Sequence, residues 1–333
     1  MKTFNKGMQT TAIDWLNNTR KRLLVPLMIS AVVMTVSCTD PDDAPVELVV
    51  DPELGQAVFV LPEDAANAFV LAVANDDTDM LGQILGSDYR EVLPLDKVKG
   101  KSVDKFIEAW EAAHTLLPEG EQKRLLAVGK SEWTLPIPIV QGNAGWYFNI
   151  EEGLERMRIR RIGRNELATM QAILAYYDAQ MEYASQDRDG DGLLEYARRF
   201  ISTPGSHDGL HWDVKEGEPA SPLGPLMAKD TSSDGYHGYF YRMLETQGEH
   251  ARGGAYSYLI GDQMRAGFAA VAWPVDYGQS GVMTFIVSHD GLVYEQNLGA
   301  ASAAAAEGMT SYDPGPEWVP AKEVNGPQAA SEQ

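Results

Sequence analysis

The chain has 333 residues, 44% of them hydrophobic, which is enough to bury a sizeable core and, by length, to fill about two domains. Its formal net charge of −21 gives a surface that repels nucleic acid and anionic lipid, so neither is an expected partner. A single cysteine excludes any disulfide framework within the chain.

Residues 1–38 read as an export address. Arg20-Lys21-Arg22 precede an uncharged apolar run, Leu23 to Val36. Its 14 residues fall short of the about 20 that a spanning helix needs, so it fits the apolar region of a secretory signal. Thr35-Val36-Ser37-Cys38 resembles a lipobox, with Thr35 in place of the usual leucine, and predicts lipidation of Cys38 after cleavage. A lone free thiol has little other use in an oxidising envelope. Ordinary signal cleavage nearby is the competing expectation. Removing residues 1–38 takes away five of 27 basic and one of 48 acidic residues, so the mature chain carries −25. Residues 39–55 then form a polar tether.

Residues 56–150 predict a small α+β domain. Ala57 to Val60 is a strand pattern, and Pro62 opens a helix whose apolar face is Ala65, Ala68, Phe69 and Ala72. The cluster Asp76 to Asp79 caps a short helix that Gly86 stops. Ser102 is read as the cap of a third helix carrying Phe106, Ile107 and Trp110. Strands follow at Arg124–Val128, Ile137–Val140 and Trp146–Ile150, the last two joined by a Gly142–Gly145 hairpin. Residues 151–320 predict a long amphipathic helix followed by an antiparallel β-meander. Leu167, Met170, Leu174, Tyr177, Met181 and Ala184 form one stripe at three- and four-residue steps, expected to pack on that sheet. Helix is expected to resume at Leu193 to Tyr196 after an acidic break. Ile201 to Gly235 has no periodicity and predicts a long ordered loop. Meander strands are expected at Tyr239–Leu244, Tyr256–Ile260, Gly267–Trp273, Val282–Val287 and Leu292–Glu295, with His289-Asp290-Gly291 as the final tight turn. Ala300 to Glu307 predicts one or two helical turns, Trp318 a last strand, and residues 321–333 a disordered tail.

Asp187-x-Asp189-x-Asp191-Gly192-x-x-Glu195 is the sharpest chemical signal. Alternate carboxylates with a glycine at the bend offer calcium several hard oxygens in one turn of chain, completed by the carbonyl of Leu193 and the carboxylate of Glu195. An EF-hand places a bidentate glutamate where Arg198 stands, so the loop predicts a shorter cage around a structural Ca2+, against the plain reading of a solvated acidic turn. Arg156, Arg158, Arg160, Arg161 and Arg164 invite an anionic glycan or lipid headgroup, but charge balance favours internal pairing. Tyr236, Tyr239, Tyr241, Tyr256, Tyr258, Trp273 and Tyr277 are read as core rather than as a sugar-stacking face. Ser102-x-x-Lys105 and the spacing of His207 and His211 lack the companions a catalytic motif requires.

Several runs together resemble a bacterial envelope family, domain of unknown function 2950. They are Trp133 to Pro138, Arg160 to Leu167, Asp189 to Gly192, Ser221 to Leu226, Gly267 to Pro274, Tyr277 to Val282 and Asp290 to Tyr294. The resemblance spans roughly Gln56 to Val319 and implies an envelope location without an activity. The family's Asp-Gly-Leu-Tyr-Trp run stands here as Asp208-Gly209-Leu210-His211-Trp212. At fold level, the N-terminal half resembles nuclear-transport-factor-2-like cones and the C-terminal half the globular part of type IV pilins. The resulting expectation is a lipid-anchored envelope protein that binds or scaffolds an envelope protein or glycan, touching the membrane only through its anchor. The alternative is an envelope hydrolase acting on glycan or peptide, with the Ile201–Gly235 loop forming a cleft.

Overall fold

The structure, a computed structural model, describes residues 48–87, 89–92, 100–188, 190–214, 217, 220–224 and 235–325. The signal segment, Cys38, Asp189, Pro225–Leu226 and most of the tail lie outside the described residues. The architecture is α+β.

The first layer begins with a two-stranded ribbon, β1 (Val50–Asp51) and β2 (Gln56–Ala57). Helices α1 (Pro62–Ala74), α2 (Thr78–Leu85), α3 (Tyr89–Val92) and α4 (Lys101–Ala112) follow. Ala65, Ala68, Phe69 and Ala72 are buried along α1 as their spacing predicts. Asp77 caps α2 by accepting from the Met80 amide, and Gly86 ends it with φ 92°. The cap of α4 differs from expectation. Gly100 occupies it without a side-chain capping bond, and Ser102 is the second residue of the helix.

These helices cover an antiparallel sheet of β3 (His114–Pro118), β4 (Lys123–Val128), β6 (Ile139–Gln141) and β7 (Trp146–Phe148), with β5 (Trp133–Thr134) beside β4. β3 pairs with β4 over five residues, although polar His114 and Thr115 obscure the strand pattern. Phe69, Ile84, Ile137 and Phe148 lie at the centre of this core.

Helix α5 (Ile150–Tyr183) spans 34 residues, a rod of about 50 Å. Asn149 caps it by accepting from the Glu152 amide, and Glu151 and Glu152 complement the positive end of the helix dipole. Its first turns lie on the N-terminal core. Gly153 packs so closely on Ile137 that a Cβ would meet Ile137 Cγ1 at 2.8 Å.

Its last turns cover the second sheet, in the order β16 (Val319–Pro320), β15 (Val293–Gln296), β14 (Thr284–Ser288), β13 (Ala269–Pro274), β8 (Tyr239–Leu244), every pair antiparallel. Between β8 and β13 the chain makes two small ribbons. These are β9 (Thr246–Gln247) with β10 (Tyr256–Ser257), and β11 (Leu259–Ile260) with β12 (Gln263–Met264). The predicted strand at Tyr256–Ile260 is thus two short strands. Gly299–Ala301 forms a 3-10 turn leading into α6 (Ser302–Gly308), and α7 (Lys322–Asn325) follows β16. Arg242 caps the carboxyl end of α6 through the carbonyls of Ala306 and Met309.

Two expectations for the rod change. The buried stripe is rotated from the predicted one. Leu167 and Met181 are 48% and 45% exposed, while Thr169, Met170, Ile173, Tyr176, Gln180 and Tyr183 are buried. Hydrophobic patterning undercounts Tyr176 and Gln180, whose polar groups are satisfied inside: Tyr176 donates to the Ala269 carbonyl, and Gln180 donates to Tyr176 and to the Ala197 carbonyl. The second change concerns Leu193 to Phe200, which is extended rather than helical. Gln180 claims both backbone groups of Ala197, and Tyr196 bridges to Met264.

Candidate functional site

The basic segment of α5 is a joint between the two sheets. Arg156 pairs with Glu119 and Glu152, and Lys123 reaches the same Glu152 at 2.6 Å. Burial works to raise the Glu152 pKa, but hydrogen bonds from Lys123 and Arg156 outweigh it and hold it below the usual carboxylate value. Arg160 donates to the carbonyl and hydroxyl of Thr134 at 2.7 and 2.6 Å, and burial with its neighbours Arg156 and Arg164 lowers its pKa.

The opposite side of the helix grips the turn after β13. Arg158 donates to the Gly278 carbonyl, Arg161 to Gln279, and Asn165 to the Ser280 carbonyl at 2.7 Å, while Glu166 accepts from the amides of Val282 and Met283. Three of the runs that carried the family resemblance therefore meet here, from Trp133–Pro138, Arg160–Leu167 and Tyr277–Val282. Their contacts are structural, and Arg156, Arg158, Arg160 and Arg161 are engaged by protein groups.

The acidic turn is closed by its own carboxylates. Asp187 accepts from the amides of Gly190 and Gly192 at 2.7 and 2.9 Å, and Asp191 accepts from the Leu193 amide and from Gln263. Gly190 and Gly192 sit at φ 81° and 83°, where glycine carries no steric cost. Arg188 lies over the rings of Tyr183 and Trp212 at 5.6 and 5.5 Å, which ties the turn to the loop beyond. The turn joins helix to extended chain, so an ion there would fix that corner and not a helix–loop–helix angle. Among the described residues no group of three or more His, Cys, Asp or Glu side chains is arranged to hold a metal, and Asp189 lies outside them.

The described part of the Ile201–Gly235 loop folds inward. Leu210, Trp212 and Leu223 are core residues. Ser202 and the Ile201–His211 bridge draw the loop shut, and Asp208 accepts from Thr203 and Ser206. Burial alone would raise the Asp208 pKa, but these hydrogen bonds and Arg199 hold it below the usual value. His211 Nδ1 lies 3.1 Å from Ser221 Oγ and 3.0 Å from the Leu223 carbonyl, so it fastens the loop to itself.

A pocket opens instead at the far end of the sheet, where β9 and β14 finish. It has a volume of about 400 Å³ and is lined by Gln247, Arg252, Gly253, Ser288, His289, Asp290 and Tyr312. Its floor is fixed. Gln247, 4% exposed, donates to the carbonyls of Arg252 and Gly254 at 2.8 and 2.7 Å and accepts from the Tyr258 hydroxyl at 3.2 Å. Tyr312 is buried beside it, bridging to Gln247 through the backbone. Burial, reinforced by the charge of Asp290, raises the pKa of both Tyr258 and Tyr312, so both hydroxyls stay protonated.

The adjacent Ser288, His289 and Asp290 do not form a relay. Ser288 Oγ donates to Asp290 Oδ1 at 2.6 Å, and His289 presents Nε2 to the Tyr256 hydroxyl at 3.4 Å. Gly267, at φ 150°, leaves the space that the His289 and Tyr258 rings occupy, since a Cβ would lie 2.6 and 2.7 Å from them. Sequence reading assigns His289 to Gly291 only a turn and passes over Gln247, Arg252 and Tyr312. The available signal is the Arg252-Gly253-Gly254 bend, with both glycines at positive φ.

The predicted aromatic set divides. Tyr239, Tyr258 and Trp273 are core, while Tyr256 stands 36% exposed beside His289. No described helix is long and apolar enough to cross a membrane. A family model described as Protein of unknown function (DUF2950) matches residues 56–321. No curated protein and no solved structure matches the chain, so the cone and pilin likenesses gain no structural counterpart.

Proposed function

We propose, from the premise that the chain belongs to this family of unknown function, DUF2950, that it is an exported envelope protein which binds a small polar ligand. Lipid on Cys38 would hold it at the membrane. The observation that carries the reading is the pocket between Gln247 and Tyr312. It has a hydrogen-bonded, buried floor and charged side chains, Arg252 and Asp290, at its walls. A concave site with a few placed polar groups on a rigid frame is the usual form of a small-molecule site, and its volume lies in the customary range of about 300–1,000 Å³. Export is supported by the Arg20–Val36 signal pattern.

The hydrolase alternative places its cleft on the Ile201–Gly235 loop. Binding is favoured over it because His211 is occupied in closing that loop and because Ser288 directs its hydroxyl to Asp290 instead of His289. A structural calcium at Asp187, Asp189, Asp191, Leu193 and Glu195 belongs to the same proposal, as a brace for the corner after α5.

Native mass spectrometry of the chain released gently from its own envelope tests the reading. The proposal expects a small bound species on the wild-type chain and its loss from Arg252→Glu. A bare chain in both preparations, or an adduct indifferent to the substitution, contradicts it.

A further inference from the structure

We infer that this pocket takes a small zwitterion, a free α-amino acid or dipeptide whose carboxylate meets Arg252 and whose ammonium meets Asp290. The inference rests on the binding reading and names the ligand class. In so acidic a chain, arginines are readily engaged: Arg156, Arg158, Arg198 and Arg199 all form ion pairs. Arg252 is exposed at the pocket mouth and has no acid partner among the described residues. Asp290 accepts from Ser288 Oγ at 2.6 Å and from the Leu292 amide at 3.3 Å, and it has no basic partner among them either.

The two charges share one cavity of about 400 Å³ without bridging each other. Their supports explain the separation. Gln247 fixes the backbone of the Arg252–Gly254 bend, and Ser288 with the Leu292 amide fixes Asp290.

A ligand that fills the cavity displaces water from both charges, and a desolvated charge is costly unless it gains a charged partner. A sugar offers Asp290 only neutral hydroxyls. A pure anion satisfies Arg252 but sets its own charge near Asp290. A zwitterion satisfies both with charge-assisted hydrogen bonds, roughly twice as strong as neutral ones. Gly253 supplies a wall without a side chain, and the buried ring of Tyr312 an apolar one.

Isothermal titration of the intact chain with L-alanyl-L-alanine, its N-acetylated form, its C-terminal amide and glucuronate tests the inference. The expected result is binding of the free dipeptide and a loss of at least about tenfold on capping either end. Arg252→Gln and Asp290→Asn should each weaken the dipeptide by at least about the same factor. Lys130→Gln, in the turn between β4 and β5, should leave it unchanged. Asp290→Asn keeps an acceptor for Ser288, circular dichroism checks that each variant folds, and the capped ligands need no variant at all. Equal binding of the N-acetylated form, tighter binding of glucuronate, or no heat from the dipeptide overturns the zwitterion class. If glucuronate binds, or an adduct survives purification while the dipeptide is inert, the class falls and the binding reading stands.

Discussion

Gln180 shows how one side chain sets the course of a segment far from it in sequence. Its amide is fully buried and pairs with both the amide and the carbonyl of Ala197, at 2.9 and 2.8 Å. Gln180→Ala would strand two buried backbone groups, so roughly 3 kcal/mol of stability should be lost, a fall of several degrees in Tm. A Tm within a degree of wild type would show that the Ala197 segment is held by other contacts. Glu295 works in the opposite sense. Burial, then the charges of Glu323 and Glu166, raise its pKa above 4.5, with Lys322 opposing. The folded state therefore holds this proton more tightly than the unfolded chain, and stability is lost as pH rises from 4.5 through the raised value. Glu295→Gln should melt higher than wild type at pH 7, and the difference should vanish in melts taken below the normal glutamate range. A variant less stable at pH 7 would contradict that sign.

Among the elements, α5 was the most readable and also the most misread. Its existence and its packing on the later strands follow from periodicity, whereas its start does not: Asn149, expected in the strand Trp146–Ile150, caps the helix instead. Its rotation does not, because Tyr176, Gln180 and Tyr183 enter the interior by virtue of partners that only the fold supplies. Strands β8, β13, β14 and β15 were legible for the complementary reason: short apolar runs bounded by turn residues are local signals, whereas the two small ribbons between β8 and β13 were not legible. The extended segment after the acidic turn was not, since its pairing with Gln180 and Met264 is long-range. Two glycines in α5 separate packing from propensity. Gly163→Ala meets nothing within 4 Å and should stabilise by about 0.5–1 kcal/mol. Gly153→Ala drives a methyl into Ile137 and should destabilise by about 1–3 kcal/mol despite the same propensity gain. Chemical denaturation of the two variants decides it, and equal shifts would mean that the joint at Ile137 is loose. For the acidic turn, adding calcium to chelator-treated protein should raise Tm and give binding heat, both abolished by Asp187→Ala with Asp191→Ala. Silence in both measurements removes the ion from the account.

Across the whole molecule, two hydrophobic cores lie at the two ends of one rod, and the described chain from Leu48 onward forms a single compact unit. Arg156, Arg158, Arg160 and Arg161, which the sequence offers as part of an anion site, instead bind the sheets to that rod, and the pocket at the far end of the second sheet holds Arg252 and Asp290 without ion-pair partners among the described residues. Sequence alone did not expose it, because its walls come from three separate stretches, near Gln247, Ser288 and Tyr312. The most direct measurement is amide chemical-shift mapping of the isotope-labelled chain during titration with the low-mass fraction of its own envelope. Shifts confined to residues 247–253, 288–290 and 312 are predicted. Shifts centred on His211 and the Ser202–Leu223 loop, or none anywhere, would contradict the assignment.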